Sequence, residues 1–135
     1  MAQVTRAMRQ QLAAAARRAA ARAYAPYSHF PVGSAILAGS GKVYAGCNVE
    51  NASFGLCNCA ERTAIYTAIA AGEKRVDAVA VFTPTPGPTM PCGACRQVIN
   101  EFGPQAIVIS VCDSAEKIET TLGALLPGAF GPEAL

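Results

Sequence analysis

The chain has 135 residues, of which 52% are hydrophobic, and its formal net charge is +2. This length suits one domain with its own core over residues 1–135, no apolar run reaches the ~18–20 residues that cross a bilayer, and so small a charge argues against a nucleic-acid partner. Arg17, Arg18 and Arg22 interrupt the Ala-rich N-terminal segment where a secretory signal would be apolar. We therefore expect a cytoplasmic protein that binds neither membranes nor nucleic acids.

The first half of the chain predicts one helix followed by a hairpin. Residues 4–23 are rich in Ala, Arg and Gln, which favour a helix, and Pro26 and Pro31 prevent it from continuing. Residues 32–39 and 42–50 have the character of strands, and the Ser40–Gly41 pair between them is typical of a turn. Residues 51–56 form a loop.

The second half alternates helices with strands. Apolar residues recur at helical spacing from Cys59 until Gly72 ends the run. A strand follows at 76–83, a loop with four prolines at 84–91, a short helix at 92–103 and another strand at 105–112. Charged residues at 116–119 indicate a solvated face, and the tail is at most partly helical. This alternation predicts an α/β fold, in which helices pack on the faces of a sheet.

Six cysteines require an explanation, since disulfides are rare in cytoplasmic proteins. Cys92 and Cys95 have C-x-x-C spacing, which lets two thiolates from one helical turn reach one cation, although a redox dithiol has the same spacing. The chain has no second C-x-x-C pair and no H-x-x-x-H pair. The count therefore favours a zinc site with three protein ligands, the number found in catalytic sites that keep one position open.

An upstream segment supplies the third ligand. Zinc deaminases have the pattern H-x-E … P-C-x-x-C, in which Cys can replace His and the Glu transfers protons without binding the metal. Cys59 and Glu61, followed by Pro91, Cys92 and Cys95, match this pattern. Cys57 would give C-x-x-x-E, which does not match. We predict Cys59, Cys92 and Cys95 as ligands of Zn²⁺, Glu61 as the catalytic acid/base and Cys57 as a bystander.

The predicted chemistry is hydrolytic removal of an exocyclic amine. Zn²⁺ lowers the pKa of bound water toward ~7, so hydroxide can attack C4 of a pyrimidine while Glu61 shuttles protons. Three thiolates leave the site with a formal charge of about −1. We expect Arg62 and Arg96, which each follow a motif element, to hydrogen-bond the thiolates and offset this charge. The alternative for both is an ordinary surface arginine.

From about Tyr24 onward, the chain resembles the small homotetrameric cytidine deaminases. The resemblance is carried by YAPYSHFPVGSA, GCNVENAS, CAERTAI, PCGACRQV, EFG and LLPGAFGPE. It implies a three-layer α/β/α sandwich with a mixed central sheet of about five strands and one Zn²⁺ per subunit. The implied reaction converts cytidine and deoxycytidine to uridine and deoxyuridine with release of ammonia, in pyrimidine salvage. The implied assembly is a homotetramer whose subunits share active sites.

The resemblance also implies the substrate contacts. Asn48 and Glu50 match the positions that hydrogen-bond the ribose 3′-hydroxyl, and alternate residues of a strand do face the same way. A carboxylate there would repel a nearby phosphate, which favours a free nucleoside. Without the resemblance, both residues could equally be the polar end of a strand.

Four further positions match residues that surround the nucleoside in this family. Phe30 lies next to the base, and the backbone of Ala60 meets the polar edge of the base. Ala52 and Phe130 match residues that reach the nucleoside from another subunit, although Phe130 could instead simply anchor the tail. Phe54 departs from the family pattern because many relatives carry Tyr there.

Three rival interpretations remain open on sequence alone. A structural zinc module could use Cys57 as a fourth ligand, which would close the metal to water. A deaminase of RNA would need a groove with basic and aromatic residues, which the sequence does not show. An enzyme for an aminonucleoside antibiotic would share the zinc chemistry, but CNVENA and AFGPE favour the nucleoside enzyme.

Overall fold

A computed structural model describes residues 3–135 and contains one five-stranded sheet. The strands are β1 (Gly33–Ala38), β2 (Val43–Cys47), β3 (Val76–Phe82), β4 (Ile107–Val111) and β5 (Lys117–Thr121). Their order across the sheet is β2-β1-β3-β4-β5. Only the central β3–β4 pair is parallel, and the other neighbours are antiparallel. The sheet is therefore mixed, with the parallel step made by the connection that contains the C-x-x-C helix.

Helices cover both faces of this sheet. They are α1 (Arg6–Ala20), α2 (Ala60–Ala70), α3 (Gly93–Phe102) and the single turn α4 (Leu122–Leu125). One apolar core joins α1 to inward residues such as Leu37 and Ala80, and the other joins α2 and α3 to residues such as Ile36 and Val79. The predicted three-layer α/β/α sandwich with a mixed five-stranded sheet is confirmed. None of the helices within residues 3–135 is long and apolar enough to cross a membrane.

The fifth strand, β5, was not predicted from the residue pattern. All but one of its residues are exposed, so the sequence KIETT lacks the alternation of apolar and polar residues that marks a half-buried strand. β5 is an edge strand that pairs with β4 only, from Val111 opposite Lys117 to Ile107 opposite Thr121. Charged residues suit such an edge because they discourage pairing with another chain.

Two glycines let the helices approach the sheet closely. A Cβ added to Gly33 in β1 would lie 1.8 Å from the backbone oxygen of Ala16 in α1. A Cβ on Gly46 in β2 would lie 2.5 Å from the backbone nitrogen of Ala64 in α2. No real side chain tolerates such distances from a backbone atom. Gly46 therefore sets how closely α2 packs on the sheet, and α2 is the helix that follows Cys59.

Candidate active site

The beginnings of α2 and α3 bring three cysteines together. Cys59 is the residue immediately before α2, Cys92 is the residue immediately before α3, and Cys95 lies in the first turn of α3. Their sulfur atoms all lie within 4.8 Å of one another, and those of Cys59 and Cys92 are 3.8 Å apart. The unpaired backbone N–H groups at a helix start carry partial positive charge. Both helix starts therefore favour the ionised thiolate that a metal requires.

The sulfur atoms fit a zinc ion. Tetrahedral Zn–S bonds of about 2.3 Å place two sulfurs roughly 3.8 Å apart, the separation of Cys59 and Cys92. Within residues 3–135, no fourth Cys, His, Asp or Glu joins the three sulfurs as a group that could hold a metal. Cys57 lies apart, with its Sγ 3.3 Å from the backbone nitrogen of Asn51. The donor set is therefore that of an open zinc site, without the fourth ligand that a structural module needs.

Glu61 lies beside the sulfur group in the first turn of α2. Its side chain is only 4% exposed, yet it lines the same cavity as Cys59 and Cys92. The pKa of Glu61 is raised to about 6, chiefly by burial and in smaller part by the negative charge of the nearby Cys59 sulfur. The structure thus provides a carboxyl group next to the three sulfurs and outside the ligand set, as a proton-transferring residue requires.

Arg62 contacts the sulfur group directly. Its Nη2 donates to Cys59 Sγ over 3.1 Å, and the pKa of Arg62 is raised, chiefly by this hydrogen bond. The pKa of Cys59 is lowered to about 5, because the Cys95 thiol hydrogen-bonds its sulfur and Arg62 adds a second hydrogen bond and a positive charge. This is the contact that the charge argument led us to expect for Arg62.

Arg96 lies elsewhere than the charge argument led us to expect. Its Nε donates to the carbonyl oxygen of Pro91 over 2.8 Å, and its Nη1 donates to that of Leu125 over 3.0 Å. The structure gives Arg96 no hydrogen bond to a cysteine sulfur within residues 3–135. Arg96 instead ties the loop before Cys92 to the C-terminal segment, because both present backbone carbonyls that no helix or strand satisfies.

A cavity of about 260 Å³ opens beside Glu61 and brings most of the predicted residues together. The predicted residues that line it are Phe30, Asn48, Glu50, Cys59, Ala60, Glu61 and Cys92. A larger groove of about 460 Å³ lies between α1 and β2 and contains none of them. The smaller cavity is the candidate active site, because it joins the sulfur group to polar side chains that could orient a ligand.

Asn48 holds the loop that leads into β1. Its Oδ1 accepts from the backbone nitrogen of Val32 over 2.9 Å, and its Nδ2 donates to the carbonyl oxygen of Phe30 over 2.8 Å. Both ends of the amide thus bind backbone. One Nδ2 hydrogen and one Oδ1 lone pair are left for a ligand. Asn48 therefore fixes the position of Phe30, in addition to any contact it makes with substrate.

Glu50 accepts three hydrogen bonds from the preceding turn. Its Oε1 accepts from the backbone nitrogens of Tyr27 and Ser28 over 3.0 and 3.1 Å, and its Oε2 accepts from the Ser28 hydroxyl. The pKa of Glu50 is lowered, chiefly by the hydrogen bond from the Ser28 side chain. The carboxylate is therefore ionised at neutral pH and can only accept hydrogen bonds.

Ala52 and Phe130 do not line this cavity. Ala52 is exposed, and the Phe130 side chain is 62% exposed. The Phe130 carbonyl accepts from Gln97 Nε2 over 2.9 Å and from Asn100 Nδ2 over 3.3 Å, so α3 holds the tail in place. In a single chain, both residues are therefore exposed and lie outside the cavity wall.

A cluster of threonine hydroxyls in the cavity wall was missed by the sequence reasoning. Thr83 and Thr89 line the cavity, and Thr83 is only 2% exposed. Thr83 Oγ1 lies 2.8 Å from Thr85 Oγ1 and 3.3 Å from Thr89 Oγ1. The signal was the repeated threonine in the proline-rich stretch TPTPGPT just before Cys92. Such spacing is also typical of an ordinary loop, so the residue pattern alone could not single it out.

Comparison with known proteins identifies relatives over nearly the whole chain. The family model described as "Cytidine and deoxycytidylate deaminase zinc-binding region" matches residues 6–111. A cytidine deaminase of Sporosarcina psychrophila is 47% identical over 93% of this chain and 93% of its own length. One from Halalkalibacterium halodurans is 48% identical over 93% of this chain and 96% of its own.

Solved structures agree in both fold and sequence. The crystal structure of cytidine deaminase from Burkholderia pseudomallei superimposes with a TM-score of 0.86 at 52% identity, over 90% of this chain and 98% of that one. That from Mycobacterium tuberculosis gives a TM-score of 0.76 at 41% identity, over 90% of this chain and 96% of that one. With this fold, this sulfur group and these matches, the chain belongs to the cytidine and deoxycytidylate deaminase family.

Proposed function

We propose that this protein is a zinc-dependent enzyme that deaminates cytidine and deoxycytidine to uridine and deoxyuridine. Water is consumed and ammonia is released. The observation that carries the proposal is the grouping of Cys59, Cys92 and Cys95 around one point, with the buried Glu61 beside them in the same cavity. The relatives' names supply the substrate, since cytidine deaminases match this chain over more than nine-tenths of its length.

The three cysteines would hold one Zn²⁺ per subunit. When bound, the ion supplies a Lewis acid that lowers the pKa of water toward ~7. Glu61 accepts a proton from the water that attacks C4 and delivers it to the ring nitrogen N3. Glu61 then takes the remaining proton from the hydroxyl now on C4 and passes it to the amine, so that the C4–N bond breaks, ammonia departs and C4 becomes a carbonyl. Arg62 offsets the negative charge of the thiolates through its hydrogen bond to Cys59.

The remaining cavity residues would orient the nucleoside. Phe30 would lie against the base, and the backbone of Ala60, which lies in the cavity wall at the start of α2, would bind the polar edge of the base. Glu50 and Asn48 would hydrogen-bond the ribose 3′-hydroxyl. Because Glu50 is an acceptor with a full negative charge, it would favour a free hydroxyl over a phosphate ester at that position.

We also propose a cytoplasmic homotetramer in which neighbouring subunits complete each active site. Support comes from the apolar side chains that a single chain leaves exposed, such as Phe54 at 72% and Leu56 at 70%. Phe130 and Ala52, which do not reach their own chain's cavity, would contact the nucleoside bound by a neighbour. Sedimentation of the purified protein measures the number of subunits.

The proposal is tested by comparing the wild type with Glu61→Ala in a cytidine absorbance assay and a zinc analysis. We expect both proteins to contain zinc, and we expect the variant to lose about 10²–10⁴-fold in turnover, the usual contribution of a general acid/base. Glu101→Ala removes an exposed carboxylate of α3 and serves as the matched control. A wild type that binds zinc and leaves cytidine untouched would contradict the proposal.

A further inference from the structure

The turn formed by residues 25–30 wraps around the Glu50 carboxylate. The backbone nitrogens of Tyr27 and Ser28 both point at Glu50 Oε1, at 3.0 and 3.1 Å. The turn closes through a hydrogen bond from His29 N to Ala25 O over 3.0 Å, and His29 has a φ of 56°. This left-handed conformation is uncommon for a residue other than glycine. The strained backbone at His29 thus belongs to a turn whose backbone N–H groups point at the Glu50 carboxylate.

The Ser28 hydroxyl bridges two residues of the cavity. Ser28 Oγ accepts from the backbone nitrogen of Phe30 over 3.1 Å and donates its only proton to Glu50 Oε2. Because the Phe30 N–H occupies one lone pair of the hydroxyl oxygen, the direction of the hydroxyl proton is constrained toward Glu50. Ser28 itself also lies in the cavity wall.

Counting acceptor sites shows what remains of Glu50 for a ligand. An ionised carboxylate offers about four lone-pair sites, two on each oxygen. Oε1 accepts from two backbone N–H groups, and Oε2 accepts from the Ser28 hydroxyl. One site on Oε2 is therefore left over, on the oxygen whose orientation the Ser28 hydroxyl sets.

We propose that Ser28 is a positioning residue for nucleoside recognition, whose hydroxyl orients Glu50 Oε2 toward the ribose 3′-hydroxyl. This inference rests on the proposed function, which supplies the ligand. Without the Ser28 hydroxyl, the Glu50 carboxylate keeps the two backbone hydrogen bonds to Oε1. The position of Oε2 is then no longer fixed, because nothing else in the turn donates to it. The lowered pKa of Glu50, caused first by Ser28, agrees with an acceptor that stays ionised.

The test uses two compounds that the enzyme binds without consuming them. Uridine and 3′-deoxyuridine differ only in the 3′-hydroxyl, from which Glu50 would accept a hydrogen bond. We would measure their inhibition constants against cytidine for the wild type, Ser28→Ala and Ser28→Thr. For the wild type, we expect uridine to bind at least about tenfold more tightly, the effect of one hydrogen bond to a charged group. We expect the preference to fall to about twofold in Ser28→Ala and to be retained in Ser28→Thr, which keeps the hydroxyl.

Several outcomes would overturn the inference. If Ser28→Ala kept the wild-type preference for uridine, the hydroxyl would have no role in that preference. Equal weakening of the binding of both compounds would lead to the same conclusion. Loss of the preference in Ser28→Thr would contradict the assignment to the hydroxyl. In a Glu50→Gln background, Ser28→Ala should change the preference no further, and a further drop would contradict action through Glu50.

Failure of the proposed function has a different signature. A wild type that turns over cytidine but shows no preference between the two compounds would overturn the role of Ser28 and leave the reaction standing. A wild type that does not turn over cytidine would overturn both. A merely structural role for Ser28 would weaken the binding of both compounds equally in Ser28→Ala, whereas a positioning role lowers the preference for uridine over 3′-deoxyuridine.

Discussion

The two ends of the cavity are built in different ways. At the metal end, Cys95 is fully buried and Glu61 is 4% exposed, and both side chains project from the first turn of a helix. At the other end, which we propose binds the ribose and call the ribose end, Phe30 is 38% exposed. The polar groups there lie on a turn and a strand end held together by hydrogen bonds. Under the proposed function, the chemistry depends on packed helices, and substrate recognition depends on a loop that hydrogen bonds hold in shape.

This contrast predicts how substitutions should divide. Changes at the metal end should lower kcat or zinc content, because they remove groups that act on the reacting atoms. Changes at the ribose end should mainly raise KM, because they loosen binding that ground state and transition state share. A substitution at the ribose end that lowers kcat and leaves KM unchanged would contradict this division between the two ends.

The largest effect is expected for Cys95→Ser. Removing a thiolate ligand should release zinc, which supplies several kcal/mol of transition-state stabilisation, so turnover should fall at least about 10³-fold. Metal analysis and the cytidine assay measure the two effects. Cys112→Ser is the matched control, since Cys112 is equally buried but lies outside the sulfur group. Full zinc content in Cys95→Ser would contradict its assignment as a ligand.

Arg62→Gln should have the next largest effect. The substitution removes the positive charge beside Cys59 but none of the ligands, so we expect kcat to fall about 10–100-fold while zinc content stays near that of the wild type. Arg96→Gln is the matched control, because Arg96 binds backbone carbonyls only. If both variants lowered kcat equally, charge compensation at the sulfur would no longer explain the role of Arg62.

Asn48→Ala tests the ribose end. It removes two hydrogen bonds that hold the loop around Phe30, so we expect KM for cytidine to rise about tenfold, with kcat changed by no more than about threefold. The free energy of unfolding should fall by about 1–2 kcal/mol, measured by denaturant titration. A large fall in kcat with KM unchanged would show that Asn48 acts on the reacting atoms after all.

The smallest effect is expected for Gln97→Ala. The Phe130 carbonyl would keep the hydrogen bond from Asn100, so the tail should move only slightly. If Phe130 contacts the nucleoside of a neighbouring subunit, KM should rise about two- to threefold, the effect of one exposed hydrogen bond. Glu133→Ala, on the same tail, is the control. A large rise of KM in both variants would contradict a specific role of the Gln97 hydrogen bond, because any change in the tail would then displace it.

The metal end could be predicted from sequence because its chemistry requires fixed spacing. The C-A-E and P-C-G-A-C segments each coincide with a helix start, and the pattern at 59–72 and 92–103 placed both helices. Arg62 follows from the same logic, since residue 62 is one helical turn away from the sulfur of residue 59. Arg96 also lies about one helical turn, four residues, after Cys92. Its side chain instead donates to the carbonyls of Pro91 and Leu125, and Leu125 is distant in sequence.

The ribose end could be predicted only through resemblance. Ser28 and Thr83 are small polar residues in proline-rich loops, where their types are common for reasons of turn geometry alone. The contact of Ser28 with Glu50 also joins segments that lie 22 positions apart in the chain. β5 was missed for a related reason, because an edge strand has no buried face to leave a pattern in the sequence.

The helix α3 contacts both the sulfur group and the C-terminal segment. This helix holds Cys95 in its first turn, and from its middle it binds the carbonyl of Phe130 through Gln97 and Asn100. Arg96, which lies between Cys95 and Gln97, donates a hydrogen bond to the carbonyl of Leu125. Any change that displaces the segment from Leu125 to Phe130 would therefore leave side-chain donors unpaired on the helix that carries Cys95. The geometry of the metal centre and the placement of the C-terminal segment are thus coupled through a single helix.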